Sequence, residues 1–191
     1  MIFLFFTGCG KQENKIYNYG FPREKNENLN ITIKLSEFKN FGMLVDKIRE
    51  ITCSDSIPKI VIENKYSTRN IYPVEYCEPI PFNPKGKHYV TFENGRAYKD
   101  YFSKEIETDS LGQNLKNEYA YYRTSKKSDR PESYIVIIEC KRNESLNGIE
   151  EFLNNLTREF DKLKTNLELN IAFWEVVTLP PPPPAEKLKE N

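Results

Sequence analysis

The stretch Tyr134-Ile135-Val136-Ile137-Ile138-Glu139 constrains the fold most. Its apolar residues run without alternation, so a strand built from them presents apolar side chains on both faces and needs cover on both. The next segment of the chain supplies part of that cover. Across residues 145–164, Ile149, Phe152, Leu153, Leu156, Phe160 and Leu163 recur at three- and four-residue steps, while Glu150, Glu151, Arg158, Glu159 and Lys162 fall on the opposite side. That is an amphipathic helix. Leu167 to Phe173 then alternates apolar with polar and reads as a returning strand. A strand, a helix and a second strand in one sheet form a crossover unit, with a right-handed connection expected.

The same order occurs earlier in the chain. Ile31-Thr32-Ile33-Lys34-Leu35 alternates as a strand, with Ser36 as a candidate N-cap for the next element. Phe41, Leu44, Val45, Ile48 and Ile51 predict a helix over residues 38–52, and Lys59 to Glu63 a strand. Residues 64–70 read as a turn, and 71–76 as a return strand that Pro73 confines to an edge. Residues 30–77 are therefore a β-α-β-β unit, and 78–87, with Pro79, Pro81, Pro84 and Gly86, a proline-rich connection.

Residues 88–177 form the second unit, β-β-α-β-α-β. Asn94-Gly95 between alternating residues predicts a hairpin, because both central positions of a type I′ turn need positive φ. A helix capped by Thr108 or Asp109 should bury Leu111, Leu115, Tyr119 and Tyr122 along one side, although Gly112 costs it about 1 kcal/mol against Ala. The expected class is α+β: two β-α-β-type units with helices packed on mixed β-sheet. Residues 178–191 are a proline-rich tail whose Pro180 to Pro184 run predicts a stiff polyproline II rod.

Composition narrows function by exclusion. Lys and Arg number 28 and Asp and Glu number 28, so there is no net field to draw the chain to nucleic acid. His88 is the only histidine, which removes the usual histidine-rich metal sites. A Ser/His/Asp or Cys/His arrangement around His88 is what an exported hydrolase would need, yet no Gly-x-Ser-x-Gly elbow accompanies it. Glu63, Glu75, Asp109 and Glu139 are not spaced as a carboxylate pair. Dinucleotide and phosphate-binding glycine loops are absent, and no cofactor is implied. Tyr119, Tyr121 and Tyr122, with Tyr98, Tyr101 and Phe102, are either core or a stacking platform.

The beginning of the chain carries the one functional residue that can be named. Phe6-Thr7-Gly8-Cys9 closes the apolar run from Ile2 and resembles the lipobox of bacterial lipoproteins of a Bacteroidetes-like kind. That resemblance implies that residues 1–8 belong to a signal peptide truncated at its start, and that the Cys9 thiol is acylated. Residues 9–29 would then be a polar, lipidated tether holding the body at a membrane of the cell envelope. Of the other cysteines, Cys53 and Cys77 either form a bridge or remain, with Cys140, as buried small hydrophobes.

The second half also resembles the periplasmic domain of the ExbD/TolR biopolymer-transport family. The likeness lies in Tyr89 to Tyr98 around Asn94-Gly95, the helix from Asp109 to Tyr122, and Tyr134 to Lys141 ahead of the last helix. That family's transmembrane helix with its proton-handling Asp is matched by no stretch here. The resemblance therefore implies a folded envelope domain that binds another protein, and no proton-driven activity.

Overall fold

The computed structural model describes residues 14–20, 27–75, 77, 89–99, 104–124 and 135–175. The fold is α+β, with three α-helices and two mixed sheets among those residues. In the first sheet the strand order is β1-β4-β3-β2, from β1 (Lys15–Tyr19), β2 (Asn30–Ile33), β3 (Ile57–Asn64) and β4 (Ser67–Ile71). Helix α1 (Phe41–Cys53) makes the crossover between the parallel strands β2 and β3. The second sheet runs β7-β6-β5-β8-β9, from β5 (Tyr89–Glu93), β6 (Arg96–Lys99), β7 (Lys104–Ile106), β8 (Ile135–Cys140) and β9 (Asn170–Glu175). Helix α2 (Leu111–Thr124) precedes β8, and α3 (Ile149–Lys162) joins the parallel strands β8 and β9.

The apolar periodicities place the core. Phe41, Leu44, Val45, Ile48 and Ile51 of α1 are buried, as are Ile149, Phe152, Leu153 and Leu156 of α3, and Leu111, Leu115 and Tyr119 of α2. Full burial of each such side chain contributes roughly 1.5–3 kcal/mol. One hydrophobic cluster takes residues from both sheets and all three helices, so the two units share a core. Val136 to Cys140 of β8 are all buried, as their unbroken run predicts for a central strand. Asn94 and Gly95 both have positive φ, 51° and 76°, which makes the β5–β6 turn the one that their sequence demands.

Four expectations need correction. Residues 9–29 do not form one continuous tether: Lys15–Tyr19 is a strand paired in parallel with β4, because Tyr17 and Tyr19 pack their rings against the core. The return strand of the first unit is Ser67–Ile71, within the expected turn; the reversal is tighter, at Lys65 and Tyr66, and Pro73 falls beyond the strand. Ser36 lies in a short 3₁₀ turn, and the α1 cap is Asn40, whose side chain accepts from the Met43 N–H at 3.0 Å. A strand, β7, precedes α2 and extends the hairpin into a three-stranded meander. The proline-rich connection at 78–87 and the tail at 178–191 lie outside the described residues.

Two glycines explain how elements approach. Gly112, costly to a helix, lets the Glu159 carboxylate of α3 occupy the place a Cβ would take. Gly42 lets the turn after β8 dock on the start of α1: the Phe41 and Gly42 N–H groups donate to the Glu144 and Arg142 carbonyls, both at 2.8 Å. Those bonds satisfy helix donors that would otherwise lack partners. A Cβ on Gly42 would meet the Arg142 carbonyl oxygen at 3.0 Å and its Cβ at 3.1 Å. Gly42→Ala should therefore destabilise the fold by about 1 kcal/mol or more despite the better helix former. A thermal melt in which this variant is more stable than the wild type would contradict the docking.

Candidate functional site

The residue with an expected role, Cys9, and the hydrolase candidate His88 both lie outside the described residues. Among the described residues no group of three or more His, Cys, Asp or Glu is arranged to hold a metal ion. Glu63 and Asp109 are exposed, Glu139 is buried, and Glu75 is half-buried with a carboxylate oxygen 3.8 Å from Arg49. Of the tyrosines on α2, two have described side chains, and they differ in burial. Tyr119 is in the core, where its hydroxyl donates to the Glu168 carbonyl at 3.0 Å and its ring lies 5.5 Å from that of Phe160, whereas Tyr121 is exposed. Two residues apart on a helix, they point to different sides. The side chains of Tyr101, Phe102 and Tyr122 lie outside the described residues.

The described cysteines are of two kinds. Cys53 at the end of α1 and Cys77 form a disulfide, with Cα atoms 4.9 Å apart. Cys140 is free and buried in β8. Burial, with the charges of Glu144, Glu93 and Glu139, pushes its thiol up to about 12. A thiol so held stays protonated at neutral pH and is the opposite of an activated nucleophile.

The most developed polar arrangement sits where the two units meet. Arg69 of β4, only 7% exposed, reaches across the inner face of the first sheet and donates to Asp161 of α3 at 2.7 Å and to the Tyr19 hydroxyl. The Tyr19 hydroxyl in turn donates to Asp161, its oxygen 2.9 Å and 3.1 Å from the two carboxylate oxygens. The guanidinium carbon lies 4.8 Å from the centre of the Tyr17 ring, within cation–π range. Burial first, then the bond to Asp161, raises the Tyr19 phenol well above its ordinary value, so this hydroxyl is no ready base or nucleophile. What the arrangement can do is clamp β1 and β4 of one unit to α3 of the other. Sequence reading missed it, because Tyr19, Arg69 and Asp161 are far apart in the chain and sit in no motif.

Two concavities lie on the described surface. A cleft of 640 Å³ lies between α2 and α3, lined by Gln113, Lys116, Tyr119, Glu159, Lys162 and Thr165. Glu159 and Lys162 in it are paired with each other at 2.5 Å. A smaller groove of 350 Å³ runs between the β-meander and the start of α3, over Phe92, Arg96, Glu105, Gly148 and Phe152. Phe92 and Phe152 stack there at 4.6 Å, and Arg96 pairs with Glu105 at 3.2 Å. No helix of the described residues is long and apolar enough to cross a membrane. No family model, no curated protein and no solved structure matches this chain.

Proposed function

We propose that this chain is a lipid-anchored protein of the bacterial cell envelope, held by an acylated Cys9, whose α+β body binds another envelope protein and carries no catalysis of its own. The observation that carries this reading is the Cys53–Cys77 disulfide. Such bridges form and persist in oxidising, extracytoplasmic compartments. With Cys53 and Cys77 bridged and Cys140 buried, Cys9 is the cysteine left for modification. The protein-binding part rests on the element order of the second unit, β5-β6-β7-α2-β8-α3-β9, and on its resemblance to an ExbD/TolR-like periplasmic domain.

Mass spectrometry of the membrane fraction should find Cys9 as the modified N-terminal residue, carrying acyl chains. Because one acyl chain holds only marginally and two hold firmly, multiple acylation is the expected form. An unmodified Cys9 on a chain beginning at Met1 would refute the anchor. Crosslinking in intact cells should recover one specific envelope protein, and repeated recovery of none would refute the binding role.

A further inference from the structure

From Cys9 to Lys15, the first residue of β1, the backbone spans at most about 22 Å even when fully extended. Any anchor at Cys9 is therefore short, and the part of the body it enters stays close to the bilayer. That part is a defined corner. The Lys15 N–H donates to the Tyr66 carbonyl at 3.2 Å, and the Asn14 side chain bonds Thr68 at 2.9 Å, so the chain joins the sheet beside the β3–β4 turn. Around this point Ile16 is 66% exposed and Tyr66 51% exposed. Lys15 and Lys65 are exposed beside them, and the Lys65 ammonium lies 5.0 Å from the Tyr66 ring centre. Glu63, near the end of β3, is exposed as well.

An exposed isoleucine, a tyrosine and two lysines have the chemistry of a lipid headgroup layer. Tyrosine rings settle at the boundary between water and acyl chains, and lysine stems lie along apolar surface while the ammonium meets anionic headgroups. We propose that the Lys15–Ile16–Lys65–Tyr66 corner rests on the membrane surface and fixes the orientation of the body, an inference that depends on acylation of Cys9. Weak contacts suffice because the short anchor keeps the corner at high local concentration near the lipid. The opposite end of the molecule then faces away from the bilayer, toward any partner.

Hydrogen exchange on the acylated protein tests this, in vesicles of phosphatidylethanolamine and phosphatidylglycerol, against a soluble Cys9→Ser form. Exchange in peptides covering 14–17 and 63–67 should slow by about tenfold on vesicles, while 51–56, before the far end of β3, is unchanged. The double variant Ile16→Glu, Tyr66→Glu should lose that protection yet remain acylated and membrane-bound. Equal exchange in both forms, with Cys9 shown to be acylated, overturns the corner and leaves the anchor standing. An unacylated Cys9 overturns both. Protection that appears in the soluble form and grows with protein concentration identifies a second copy of the chain as the occupant, and overturns the membrane contact.

Discussion

Asp161→Ala should lower the melting temperature by about 5–10 °C, the shift that 2–3 kcal/mol produces in a domain of this size. Asp161 is the acceptor for both Arg69 and Tyr19. Removing it leaves a guanidinium whose side chain is 8% exposed without its counter-charge. Breaking a buried pair from one side costs about 3–5 kcal/mol; the 28% exposure of the Asp161 side chain lets water replace part of it, which sets the lower figure. Arg69→Met combined with Asp161→Leu should recover much of the loss, because no charge is then left unpaired. Melting of Asp161→Ala within about 1 °C of wild type, less than the roughly 2–4 °C expected per kcal/mol, would show that the clamp contributes little or nothing.

Tyr19 adds a pH signature to the same clamp. Its folded pKa is raised above the ordinary 10.0, so the folded state holds a proton that the unfolded state releases. The stability this contributes is complete below pH 10 and is lost as pH climbs above it. Since burial is the larger cause and the Asp161 bond the second, Asp161→Ala should keep part of this alkaline loss. Tyr19→Phe should remove the Tyr19 share of the loss in melts taken across the alkaline range, leaving the share of the raised Cys140 thiol.

The elements that sequence made legible are those in which one physical signal dominates. Ile149 to Leu156 repeat at helical steps for two turns, and Tyr134 to Glu139 admits no reading but a covered strand, so α3 and β8 sit where their patterns put them. Asn94-Gly95 encodes its own backbone angles. Where pattern was weak, tertiary pairing decided. Ser67-Thr68-Arg69-Asn70-Ile71 is too polar to suggest a strand, yet it lies between β1 and β3, with its polar Thr68 and Asn70 on the open face of the sheet. Arg69 points inward against the usual rule for charged residues, and only its distant partners make that tolerable. Lys15–Tyr19 was hidden for the same reason: its neighbour in the sheet is fifty-two residues away. The clamp was invisible because a three-dimensional meeting of Tyr, Arg and Asp leaves no spacing to read.

Reducing the Cys53–Cys77 bridge should cost about 3 kcal/mol and lower the melting temperature by about 6–12 °C. The sequence separation is 24, and in the chain-entropy account a closed loop of that size removes this much freedom from the unfolded state. The segment it holds matters for packing. After β4, the chain at Tyr72 to Glu75 leaves the first sheet for the second: the Tyr72 N–H donates to the Tyr19 carbonyl at 2.9 Å, and the Val74 N–H to the Ile171 carbonyl of β9 at 2.7 Å. Pinning Cys77 to the end of α1 keeps this segment from peeling off β9. Wild type with a phosphine reductant and the Cys53→Ser, Cys77→Ser double variant should melt together, both below the oxidised protein. The reduced native protein should alkylate rapidly at Cys53 and Cys77 but only after unfolding at Cys140, whose thiol is pushed up to about 12. If reduction leaves the melting temperature unchanged, the bridge constrains nothing; if protein taken from the cell envelope without reductant has both thiols free, the anchor loses the support of an oxidising compartment.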